Sequence, residues 1–235
     1  MNKIAVLVAN DVRNVFRDKA LFGMLVAPVV LVLLLRFGLP ALGSRFPPVA
    51  GYYPVITAFA CTLMASFPAF MASFIMLDEK DEGLMRVMRV MPVSSLLFVG
   101  YRVVLVAALS VVSAAAAVLV PGLIERNLAV GLVVPLLFGL SAPMTTLLVV
   151  SFAKNKIEGV TVLKVLNLAL MIPLAGFFTD SPLRHLLGVI PVYWVDLALN
   201  EGTFTAPFAV YSVVALVAQL AVLAISYRLF IRRML

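Results

Sequence analysis

"YYPVITAFACTLMASFPAFMASFIML", residues 52–77, runs for 26 positions without a charged side chain, and "DEKDEGLMRVMRVMPVS", residues 78–94, follows at once with seven. An α-helix rises about 1.5 Å per residue, so the apolar half reaches about 39 Å, enough to cross a hydrocarbon core of about 30 Å. A bilayer surface imposes this kind of abrupt change in composition. Five further runs have the same character, at about 20–39, 95–120, 128–152, 157–178 and 206–230. Each must be helical, because lipid offers no partner for a bare amide. The expected fold is all-α and integral to a membrane: six transmembrane helices in a single domain spanning 1–235. Pro28, Pro68, Pro135, Pro143 and Pro173 lie within the runs, which a bundle tolerates when neighbouring groups satisfy the freed backbone.

Composition agrees with this reading. Of the 235 residues, 64% are hydrophobic and 12% charged, against roughly 25% charged in a soluble domain; mean hydropathy is +1.15. A net charge of +7 would suit nucleic acid if it formed one soluble patch. Here the cations sit at the ends of apolar runs, where they set membrane orientation, so no nucleic-acid partner is expected. Fourteen of the 18 Lys and Arg fall on the side that carries both termini, segment 78–94 and the link before residue 157; Arg36, Arg45, Arg126 and Arg184 fall on the other. That bias places both termini and 78–94 in the cytoplasm of a multi-pass plasma-membrane protein. The lone Cys61 lies in an apolar run and reads as a small buried side chain.

Two segments differ from plain spans. In residues 3–17, a helix would put Ile4, Val8, Val12 and Val15 on one face and Lys3, Asn10, Asn14 and Arg17 on another. That pattern predicts an amphipathic helix (1–18) lying in the membrane interface, not a cleavable leader. "SPLRHLLGVIPVYWVDLAL", 181–199, is apolar but broken by Gly188 and Pro191, and it carries Tyr193 and Trp194. A full crossing would send Arg228, Arg232 and Arg233 to the wrong side, so an outer re-entrant hairpin is expected. His185, the one histidine, then sits at the membrane edge with no second metal ligand in view.

Catalytic chemistry is not in evidence. All eleven acids fall outside the middle of the spans, which argues against an ion relay, since such charges at mid-depth are kept only for use. Gln219 is the most conspicuous polar residue at depth and reads as a bond between helices. Lys164 lies about two turns inside its span. There is no G-x-x-x-x-G-K-[ST] loop, H-E-x-x-H or G-x-S-x-G. No enzyme, bound cofactor or metal site is expected, and energy for any transport must arrive from elsewhere.

Segment 78–94 itself reads as a short helix. Leu84, Val87, Met88 and Met91 share a face, Glu82 and Arg86 form an i,i+4 pair, and Pro92 re-aims the chain into the next span. Such a helix could be a lever between two spans; an ordinary loop of solvated charges fits the same pattern.

A family resemblance distinguishes the two. "VFRDKALFGMLVAPVVLVLLL" (15–35), "DEKDEGLMRVMRVMPVSSLLFVGYR" (78–102) and "SFAKNKIEGV" (151–160) resemble the permease subunits of ATP-binding-cassette transporters, in the type-two exporter family. The likeness extends over nearly the whole chain. Leu84 stands where that family often has Thr, and Tyr101 separates Gly100 from Arg102. The resemblance implies a separate ATPase subunit that binds the ATP, a second permease subunit (homo- or heterodimer) and alternating access. It also makes 78–94 a cytoplasmic coupling helix. Glu79, Glu82, Gly83, Arg86, Arg89 and Pro92, with Lys154, Asn155, Lys156 and Glu158, are the implied ATPase contacts; Arg13 and Arg17 sit on a supporting strut. A pathway without fixed charge suits hydrophobic or amphiphilic cargo: a drug, an antibiotic or a lipid-like compound. The competing reading is a stand-alone carrier or membrane scaffold.

Overall fold

A computed structural model describes residues 3–83, 95–124, 127–179 and 181–234. The described residues contain helices and no strand. Helix α1 is Lys3–Arg17. Asp18 then caps the next helix, accepting from the backbone N–H groups of Ala20 and Leu21. That helix, α2, runs Lys19–Arg45 with a π-type turn at Leu34–Gly38. Helix α3 is Tyr53–Asp81, led in by a 3-10 turn at Pro47–Tyr52. Helices α4 (Ser95–Leu119) and α5 (Leu128–Phe152) follow, and then α6 (Lys156–Met171), which tightens into a 3-10 segment at Ile172–Phe178. A 3-10 helix at Pro182–Val189, α7 (Val192–Glu201) and α8 (Ala206–Met234) complete the chain.

Six helical stretches are long and apolar enough to cross a membrane: Lys19–Arg45, Pro47–Asp81, Val99–Leu119, Leu128–Phe152, Lys156–Phe178 and Ala206–Arg233. They match the six runs expected from sequence. The first and second are longer than hydropathy alone suggests, because helical geometry continues past the apolar residues at both ends. Thus α3 continues through Asp78–Asp81, and those residues are the end of a span helix, not the start of a separate one. Gly83, at φ +74°, stops it there: its N–H reaches the Lys80 carbonyl at 3.1 Å, a left-handed terminus that glycine adopts without cost. Residues 84–94, with Arg86, Arg89 and Pro92, lie outside the described residues.

The interior belongs to α3 and α5. In their apolar stretches 67% and 78% of residues are buried, against 11% in α2 and 17% in each of α6 and α8. Small residues make this close packing possible. Ala58, Ala60, Ala65 and Ala69 of α3 and Ala114 and Ala117 of α4 are almost wholly buried, and a Cβ on Gly139 of α5 would run into Val111 of α4. Without a hydrophobic drive between helices in lipid, such packing and polar cross-links hold a bundle together. The links are present. Ser110 donates to the Ala65 carbonyl at 3.2 Å, Thr146 to the Ala69 carbonyl at 3.3 Å, and Ser66 to Asn167 Oδ1 at 3.0 Å.

Two apolar clusters stack along the bundle. One, around Met64, Phe138, Val195 and Phe208, buries α7 against α3, α5 and α8. The other, around Leu21, Leu77, Leu147 and Phe230, lies toward the end where both termini and the link between α5 and α6 come together. That end carries the charges.

Candidate functional site

The charged end is organised around Arg102, seven residues into α4. Its side chain is 3% exposed. Nε and Nη2 donate to the Asp11 carboxylate of α1 at 3.2 and 2.9 Å. Nη1 and Nη2 grip both oxygens of Glu79, at the end of α3. The Tyr101 hydroxyl adds a 2.8 Å bond to Asp11. Burying a cation costs several kcal/mol unless it is paired and hydrogen-bonded, and a planar guanidinium can serve two carboxylates at once. One side chain therefore ties together three helices. Asp11 and Val15 are the residues of α1 that turn inward, while Val12 and Phe16 face out. A carboxylate thus does part of the docking that the apolar face alone was expected to do. Arg13 and Arg17 are exposed.

A second set of contacts joins the link between α5 and α6 to the same end. Lys156 pairs with Asp78 at 2.9 Å and with Asp18 at 3.4 Å. Lys80 donates to the carbonyl of Ala153 at 2.7 Å. Asn155 caps α6 by accepting from the Glu158 N–H at 2.9 Å, and Glu158 answers by accepting from the Lys154 N–H at 2.9 Å, a reciprocal arrangement close to a capping box. For Asp18, desolvation acts to raise the carboxyl, but the Ala20 and Leu21 N–H groups and the Lys156 ammonium outweigh it and hold it below the ordinary range.

The two segments singled out in the sequence, 79–83 and 154–158, are therefore neighbours. Glu79 is turned inward to Arg102 and is 14% exposed. Glu82, Lys154 and Asn155 face solvent. Between α1 and α3 lies a polar notch of about 630 Å³, lined by Asn14, Arg17, Asp18, Asp78 and Glu82 among others. Arg102 itself was counted in the sequence only as one more cation. Its position inside an apolar run, where a lone charge is costly, was the signal that it needed an acid.

Two apolar cavities lie near the charged cluster and along α2. One of about 180 Å³ lies among α1, α3 and α4 beside the Arg102 cluster, and one of about 350 Å³ lies between α2, α3 and α4; they share Leu25, Pro68, Met71 and Leu109.

The opposite end of the bundle is less well satisfied. Asp196 of α7 is 1% exposed and Gln219 of α8 is 0% exposed, and among the described residues neither side chain has a hydrogen-bond partner. Gln219 thus does not make the interhelical bond expected of it. Tyr193, expected at the membrane surface, is wholly buried. Its hydroxyl lies 3.0 Å from His185 Nδ1, and His185 stacks on Trp194 with ring centroids 5.9 Å apart. Trp194 donates to the Gly188 carbonyl at 3.0 Å, and its indole occupies the space that a Cβ at 188 would need. Among the described residues no group of three or more His, Cys, Asp or Glu is placed to hold a metal ion.

Comparison with known proteins bears on what the bundle does. A family model described as fluoroquinolones export permease protein Rv2686c-like matches residues 11–227. Two curated relatives from Mycobacterium tuberculosis strains, the fluoroquinolones export permease proteins Rv2686c and MT2760, are each 32% identical over 239 aligned positions. The alignments cover 97% of this chain and 93% of each relative. The match takes in the three segments that resemble cassette-transporter permeases, and its permease description fits a transport role, not a catalytic one. Six helices of spanning length, a charged end tied together by Arg102 and this agreement over almost the whole chain lead to one conclusion: the protein belongs to the Rv2686c-like family of fluoroquinolone export permeases.

Proposed function

We propose that this chain is the membrane-spanning subunit of an ATP-driven exporter of the plasma membrane, with both termini in the cytoplasm and all 235 residues in one transmembrane domain. Its cargo is an amphiphilic aromatic compound of the fluoroquinolone kind. A separate ATPase subunit binds and hydrolyses the ATP, and a second permease subunit completes the pathway. The exposed apolar faces of α2, α6 and α8 meet lipid and that second subunit.

The observation that supports this most is the Arg102 cluster. It joins α1, α3 and α4 immediately beside segment 78–94, so a push there is delivered to three helices as a unit. Glu82, Gly83, Arg86, Arg89 and Pro92, with Lys154, Asn155, Lys156 and Glu158, are the contacts proposed to take the push, and Glu79 passes it inward to Arg102. Helix α1 lies in the interface as a strut bearing Arg13 and Arg17, and residues 181–199 dip into the outer leaflet and return. Rocking of the spans then alternates access between the two sides.

The test is double charge reversal, Glu82→Lys with Arg86→Glu, in the complex reconstituted in vesicles. ATP hydrolysis should continue while quinolone transport falls by about tenfold or more, the loss of two charge-assisted contacts. Unchanged transport per ATP would remove the coupling role. Uphill transport by the chain without any ATPase would replace the proposal with a stand-alone carrier.

A further inference from the structure

A small cavity at the end of the bundle opposite the charges is lined by Pro173, Gly176 and Phe177 after α6, by Arg184, and by Tyr193, Asp196, Leu197 and Asn200 of α7. Its volume is about 100 Å³, room for a small polar head group and not for a whole drug. Asp196 forms part of this wall, and both its carboxylate oxygens are covered and without a hydrogen-bond donor. Cys61 of α3, near enough to interact electrostatically with Asp196, is a wholly buried thiol whose Sγ is 4.0 Å from the Ala114 carbonyl, and a thiol supplies no cation. Arg184 donates to the Thr179 carbonyl at 3.4 Å and lies on the hairpin side of the same space.

A buried carboxyl normally finds a donor, because leaving it bare is costly. The charged end of this molecule shows how completely the fold can provide one. A bare, buried carboxyl kept against a cavity is the pattern of a group whose partner is not part of the chain.

We propose that Asp196 is the binding site for the protonated amine of the exported compound. The cavity provides the other features such a head group needs. Phe177 and Tyr193 line the cavity and offer aromatic surface to a cation, and Asn200 offers an amide. A fluoroquinolone bearing a basic ring amine carries such a head group. The covered oxygens mean that the amine enters only when α7 and the 172–178 segment part, as alternating access requires. The assignment rests on the exporter reading above and specifies which part of the cargo is recognised.

The experiment uses the full chain in lipid nanodiscs and two probes: a piperazinyl fluoroquinolone and its N-acetyl derivative, which keeps the ring system and carboxylate but cannot carry the positive charge. Equilibrium binding is read from quinolone fluorescence. The wild-type chain should prefer the free amine by about tenfold or more, the contribution of one charge-assisted hydrogen bond. Asp196→Asn should abolish that preference and leave the affinity for the acetylated compound unchanged. If Asp196→Asn keeps the preference, or loses both compounds equally, the assignment is overturned. Equal binding of both probes by the wild type overturns it too, while the exporter reading stands; if neither probe binds, the cargo class itself fails. Competition by piperazine alone gives a check within the wild-type chain: it should displace the free amine and not the acetylated compound.

Discussion

Two buried acidic sites lie at opposite ends of this bundle and are treated in opposite ways. Asp11 and Glu79 share the guanidinium of Arg102, and Tyr101 donates to Asp11 as well. Asp196 is at least as deeply buried and has no donor among the described residues. Both arrangements pay for desolvation, but only the first recovers it within the chain. The paired site therefore reads as structure, three helices fixed in one orientation. The bare site reads as a place reserved for something that arrives and leaves. In the proposed exporter, the paired end would be the stiff one that receives force and the bare end the one that takes and releases cargo.

Mutation can break this contrast. Arg102→Met removes the shared cation and strands two carboxylates, so it should destabilise the chain by about 3–5 kcal/mol, seen as a large drop in the unfolding midpoint in detergent. A loss under 1 kcal/mol would mean the cluster is not a clamp. Asp196→Leu should do the reverse, raising stability by about 1–2 kcal/mol because an unsatisfied buried group disappears. Destabilisation of that size would show that Asp196 has a structural partner after all.

The smallest effect concerns Asp18, whose carboxyl is held below its ordinary value in the folded chain. A depressed folded-state pKa adds stability that is present above the unfolded value and lost as the pH falls through the folded one. Since Asp18 is partly exposed and screened, that loss is slight. Thermal midpoints measured between neutral and strongly acid pH should show Asp18→Asn flattening the acid limb a little. An unchanged limb would remove Lys156–Asp18 from the contacts that hold the charged end.

Much of the architecture was legible because lipid admits so few solutions. Residues 128–152 were read from hydropathy alone and the helix occupies the same span. The local signals act within a few residues: Asn155 caps α6 through its side chain, and Gly83 ends α3 through a positive φ. The site was less legible. Asp11 and Arg102 are 91 positions apart, and the chain between them carries no sign of the pairing. The family resemblance implied a docking role for Glu79, but helix geometry turns it inward to Arg102 while Glu82 stays outside. Asp196 looked superficial because Trp194 beside it suits a membrane surface; the turn at Ile190 and Pro191 instead carries α7 into the core.

The sequence by itself determined that this chain is a six-pass helical membrane protein, because apolar length and the demand for internal hydrogen bonds are properties of each segment separately. It also located the charged segment that a partner could push. Only the tertiary structure decided which charges neutralise one another and which are left bare. Burial and pairing depend on the approach of distant helices, and a local pattern cannot encode a distance between them.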